Sequence, residues 1–246
     1  MQKQFTGLRT GRLFSVAAPA ITLLLTLLTI LVGMFLMGDR KYYFVSLLIA
    51  CYTIAFFCLV FERGRPRARE IVVISVMIAI AVLGRAIFFM IPQFKPMVAI
   101  VIISGAALGA ESGFIVGALT AFISNFLFGQ GPWTPWQMFS LGVIGFLAGL
   151  IFEKHIGGWS DGSRRNILCV FGAFSAFFLY GGIVDLWRIF SISPIPSIEI
   201  LISVYGLAVP FNLIHAAATV FFLFFLSNPL LNKLDRVKLK FGLLGK

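Results

Sequence analysis

Charge is scarce in this chain. Only 12% of its 246 residues are Asp, Glu, Lys or Arg, while 60% are hydrophobic. A soluble domain carries roughly 45–50% apolar residues, and a core of this length cannot hide the excess from water, so the bilayer has to be the solvent. Catalytic signatures are missing too. The sequence has no HExxH, no GxSxG and no paired aspartates of a phosphotransferase, which leaves enzymatic readings without their machinery. Without a Walker A loop the chain cannot itself hydrolyse ATP, so any active transport must draw its energy elsewhere. Cysteine amounts to Cys51, Cys58 and Cys169, each inside an apolar run, with no CxxC and no histidine-rich spacing beside them. They read as small hydrophobes, and no metal or cofactor is expected.

The charge that is present has a pattern. A net charge of +11 raises the question of nucleic acid, but the basic residues sit in short clusters between long apolar runs. That is the pattern of membrane topology, not of a phosphate-binding face. A span needs about 20 apolar residues, and the chain offers residues 14–37, 43–61, 71–91, 136–152, 166–187 and 201–227. The basic N-terminus with its long apolar run is expected to stay as a helix and not to be cleaved as a signal peptide. Residues 96–129 are too long for one span, since 34 residues of helix would reach about 51 Å against a hydrocarbon core of about 30 Å. Two short helices with a tight turn near Gly109–Gly113 are expected instead, with Glu111 in the turn.

Eight spans then place fifteen lysines and arginines on one side against Arg40, Lys41, Lys95 and Arg188 on the other, with Arg85 left inside a helix. Positive charge collects in the cytoplasm, so both termini are expected inside. The arginine-rich stretch 62–70 marks a boundary between a two-helix extension (1–66) and a six-helix core with a basic tail (67–246). The fold expected is therefore an all-α integral membrane bundle.

Several residues could carry chemistry. Glycine and alanine recur at four-residue spacing, as Gly105 and Gly109, as Gly113, Gly117 and Ala121 continuing to Asn125, and as Gly145 and Gly149. Such a face lets a neighbouring backbone approach closely. The uncharged loop GQGPWTPWQ at residues 129–137 combines two prolines, the plates of Trp133 and Trp136, and the amides of Gln130 and Gln137. It reads as the wall of a ligand site or as an aromatic belt at the water interface. Arg85 lies about 9 Å inside its helix end at 1.5 Å per residue. A charge at that depth has a partner or a task, and both Asp185 and a ligand remain open for it. Asn212 and His215 stand mid-span beyond Pro210, which is expected to kink the last helix, where they either line a polar cavity or bond helix to helix.

The run from Arg85 to Phe152 resembles the S components of energy-coupling factor importers. The likeness rests on Arg85, QFKP at 93–96, SGAALGAESGFIVGAL at 104–119, SNFLFGQGPWTPWQM at 124–138 and GFLAGL at 145–150. Within that family the nearest likeness is to the cobalamin-specific S component, and it covers about residues 70–230. It implies a six-helix cavity open to the outside of a bacterial cell membrane, roofed by loops at residues 92–95 (with Lys95), 128–136 and 188–200. It further implies a vitamin as ligand, with cobalamin first and riboflavin, pantothenate or a queuosine precursor as alternatives. The implied partners are a membrane-embedded T subunit and two cytoplasmic ATPases, reached through a docking face at Ser75 and Ala79 where the family has two alanines. The two-helix extension is an addition to the family's usual six helices. A non-transporting membrane scaffold is the competing reading from another class.

Overall fold

A computed structural model describes residues 68–153, 160–193 and 196–241, together with isolated helical residues between 24 and 55. The two expected N-terminal spans therefore lie largely outside the described residues. Among the described residues, the Thr29 hydroxyl bonds that of Tyr52 at 3.2 Å. The rest is helical throughout, with no strand among the described residues. In chain order the helices are α1 (Ala68–Ile87), α2 (Met97–Leu108), α3 (Ala110–Phe128), α4 (Thr134–Phe152), α5 (Asp161–Phe174), a π-helical segment (Ser175–Gly181), α6 (Gly182–Ile192) and α7 (Ile198–Phe241). Helices α5 and α6 run on through the π segment as one apolar rod of 32 residues. Six helical rods result, and all but α2 are long and apolar enough to cross a membrane.

Helix α2 is the exception that organises the others. Its twelve residues are all buried, so it is wrapped by protein and not by lipid. The hairpin expected within 96–129 is present, and its turn is a single residue, Gly109, at φ 94°. Only glycine takes that conformation without strain. The α2–α3 hairpin packs against α4 through the predicted small-residue faces. A methyl group added at Gly105 or Gly113 would strike the backbone carbonyl of Gly145, and one at Gly117 would strike that of Leu141. Three backbones thus touch without intervening side chains. In a bilayer, where lipid tails are as apolar as leucine, such close packing is what drives helices together.

The outer faces are apolar. Val72, Val76 and Leu83 on α1, Phe126 and Leu127 on α3, Val170 and Phe178 along the α5–α6 rod, and Leu207 and Phe225 on α7 are all exposed. Ser75 and Ala79 share the exposed face of α1. Helix α7 continues well beyond the expected end at residue 227. Its 44 residues amount to about 66 Å, twice the hydrocarbon core. Hydropathy ends at the membrane surface, but the helix does not, and Lys233, Arg236, Lys238 and Lys240 ride on its extension. Both Pro210 and Pro229 lie within this helix. Arg164 ties the start of α5 to the extension, bonding Asp161 at 2.7 Å, Asn232 at 2.9 Å and Asn228 at 3.3 Å.

Candidate functional site

The site follows from a mismatch of lengths. Helices α2 and α3 both leave the Gly109 turn, but α2 rises about 18 Å and α3 about 28 Å at 1.5 Å per residue. The N-terminal end of α2 therefore stops inside the bundle, and the chain reaches it through residues 88–96. Phe88 and Phe94 pin that loop to α7, packing on Phe222 with ring centroids 5.1 and 5.2 Å away. The space above the end of α2 is a cavity of about 160 Å³. Met97 and Val98 contribute the first turn of α2, and Gln93 and Lys95 the loop. Arg85 enters from α1, Gln137 and Leu141 from α4, Tyr180 from the π segment and His215 from α7.

Arg85 is held there by neutral acceptors. Its Nη1 donates to Ser124 Oγ at 2.6 Å and to Asn125 Oδ1 at 2.7 Å, and Phe128 lies under the guanidinium 4.8 Å from its ring centroid. Asn125, fully buried, is the hub of a longer network. Its Nδ2 donates to Thr134 Oγ1 at 2.9 Å and to Gln137 Oε1 at 2.8 Å. Thr134 in turn donates to Gln130 Oε1 at 2.9 Å. The loop's polar residues thus fasten it to α3 and aim Arg85. Asp185, the alternative partner, is engaged elsewhere, accepting from Asn212 Nδ2 at 3.0 Å and Arg188 Nη1 at 3.3 Å.

A six-rod apolar bundle enclosing a polar chamber is the geometry of a membrane subunit that binds a solute. Residues 66–232 match a family model described as the ECF-type riboflavin transporter, S component, where ECF stands for energy-coupling factor. The chain belongs to this family. No solved structure matches it. An S component is a transport subunit, not an enzyme, and it works with a membrane-embedded T subunit and ATPases on a vitamin substrate.

In this S component the expected site residues divide. Arg85, Lys95, Gln137 and His215 meet at the cavity. Gln130, Asn212 and the two tryptophans do not line it. Gln130 serves the loop's own network and also reaches the Phe122 carbonyl at 3.0 Å. Trp136 is fully buried beside Phe139, Val143 and Phe190 in a second core cluster. Trp133 packs edge-on against Trp187, with centroids 5.5 Å apart. The tryptophans here pack against α6, Trp133 on Trp187 and Trp136 beside Phe190.

Gln93 and Tyr180 line the cavity without having been singled out. Gln93 was visible within the QFKP motif. Tyr180 had no signal, because its place depends on a π-helical turn that no spacing announces. Such turns often accompany functional sites. The other reason for noticing Gln93 is its backbone: at φ 56° it is the non-glycine residue with positive φ among the described residues. That conformation costs an ordinary side chain about 1–2 kcal/mol, and here it turns an amide into the chamber. The Gln93→Gly variant should therefore melt no lower than wild type while losing a ligand contact of about 0.5–1.5 kcal/mol. Thermal unfolding and ligand titration on the same preparation check both signs.

Proposed function

We propose that this chain captures a vitamin from outside a bacterial cell and delivers it inward on a T subunit driven by two cytoplasmic ATPases. The observation that carries the reading is the chamber itself. Six polar side chains, those of Arg85, Gln93, Lys95, Gln137, Tyr180 and His215, converge on one cavity inside a bundle packed mainly by aliphatic and aromatic side chains. Polar and ionisable groups are expensive in a membrane and are kept where a pathway or ligand needs them. A non-transporting scaffold has no use for such a chamber. The charge asymmetry along the chain supports cytoplasmic termini, which puts the loop at residues 129–133 and the cavity mouth outside. The exposed Ser75 and Ala79 then offer the T subunit a shallow place to approach on α1.

Two ligands lead. Cobalamin is favoured by the likeness of the GQGPWTPWQM segment, and riboflavin by the family's description. At about 160 Å³ the cavity lies below the ~300–1,000 Å³ of sites for drug-sized ligands, so a corrinoid requires the mouth to open far more than a flavin does. The experiment is to purify the full chain and read its absorption spectrum for a red corrinoid or a yellow flavin, then titrate each vitamin. The chain alone in proteoliposomes should bind its vitamin yet accumulate none when ATP is supplied. ATP-driven uptake by the chain alone would contradict the reading, as would failure to bind any vitamin.

A further inference from the structure

We infer that the ligand presents an anionic oxygen group, a carboxylate or a phosphate, to the Arg85–Lys95 end of the cavity. This rests on the reading of the cavity as the substrate chamber. Two cationic side chains line it and no acidic one does. Neither cation has an ion-pair partner among the described residues. Arg85 spends only Nη1 on Ser124 and Asn125, which fixes the guanidinium plane but leaves its charge uncompensated. A guanidinium has five donors, and two parallel ones suit a carboxylate or phosphate. Lys95 brings three more donors from the loop, none of them committed within the described structure. Burial, and then the nearby Arg85 charge, hold its amino group below the usual lysine range. Two like charges facing one half-buried space repel, and an anion between them relieves both.

Two further features aim the same way. Helix α2 begins at the cavity with Pro96 as its N-cap and no capping side chain, so its first N–H groups lack a helical partner. The N-terminal end of a helix carries roughly half a positive charge, which favours an anion. His215 is 5% exposed and lines the same space, yet its ring nitrogens have no hydrogen-bond partner among the described residues. A ligand oxygen would supply one.

The test uses the full chain in lipid nanodiscs with paired probes differing by an anion. Riboflavin and riboflavin 5′-phosphate form one pair, and cobinamide and cobinamide phosphate the other. Pantothenate serves as the carboxylate arm. The tightest binder should carry the anion, and Lys95→Gln should weaken it by roughly tenfold or more, as expected for a lost charge-assisted hydrogen bond. Lys95→Gln should weaken the anionic member of each pair several-fold more than its neutral partner. Because Lys95 is half-buried in a loop, the variant should keep its melting temperature, and Arg85→Gln provides a second charge removal. A neutral vitamin that binds tightest, unaffected by Lys95→Gln, overturns this inference and leaves the capture function standing. No binding of any probe overturns both.

Discussion

Replacing Gly145 by valine should stop the bundle from assembling. The Gly145 Cα faces the Gly113 carbonyl, and its own carbonyl faces Gly105 and Gly113, so a side chain here meets backbone on the partner helix. Backbone cannot rotate aside as a side chain can. Overpacking a core costs about 1–3 kcal/mol where neighbours yield, and this site should reach ~4–5 kcal/mol, the rare upper end for one substitution. Neighbouring positions sharpen the test. A methyl at Gly142 would meet the ring of Phe114, which can move, so Gly142→Ala should be milder. Gly162 has nothing within 4 Å, and Gly162→Ala should be neutral. Membrane accumulation and melting temperature should fall in the order Gly162→Ala, Gly142→Ala, Gly145→Val. A stable Gly145→Val protein would mean that α3 and α4 do not cross at that glycine.

What could be read beforehand follows from what each signal measures. Hydropathy and length required a break within residues 96–129, because one helix there would overrun the membrane, and the turn stands at Gly109 within the stretch expected. Four-residue glycine spacing located the close packing of α2, α3 and α4 for the same reason: helical geometry alone places those residues on one face. The chamber was less legible. It exists because α2 is short, and because a π-helical turn swings Tyr180 inward, and neither is written in periodicity. Tyr180 sits in the run SAFFLYG, which reads as lipid-facing. For Arg85 the sequence gives depth in the membrane but not direction, so it could not tell that Asp185 bonds Asn212 and Arg188 while Arg85 bonds Ser124 and Asn125.

Trp136 shows the same limit from the other side. A flat apolar plate directly after a proline suits a ligand wall and a packed core equally well, because burial stabilises it in either place. The loop's rigidity and lack of charge were legible. Its inward fastening was not, since that depends on Asn125, which the sequence marks by its place in a motif and at the end of a glycine stripe but not by its partners. The polar loop residues and the charged residue on α1 belong to one network, and that network links fold stability to the chamber.

Asn125 should accordingly be the most sensitive polar residue in the protein. It accepts from Arg85 and donates to Thr134 and Gln137, all from a fully buried position. Asn125→Ala strands these partners, and each buried polar group left unpaired costs about 1–3 kcal/mol. A total loss of ~3 kcal/mol or more is expected, together with weaker ligand binding, because Arg85 and Gln137 would no longer be held toward the cavity. Asn125→Asp separates the two effects. It keeps an acceptor for Arg85 but adds a carboxylate that neutralises the guanidinium, while the donor to Thr134 and Gln137 is lost. This variant should melt closer to wild type than Asn125→Ala, yet bind an anionic ligand at least as poorly, since the charge meant for the ligand is already satisfied. Thermal unfolding followed by tryptophan fluorescence, with calorimetric titration of the bound vitamin, reads both quantities. If Asn125→Ala melted like wild type, the network would be incidental to the fold. If Asn125→Asp bound the vitamin at full strength, Arg85 would not be serving the ligand with its charge.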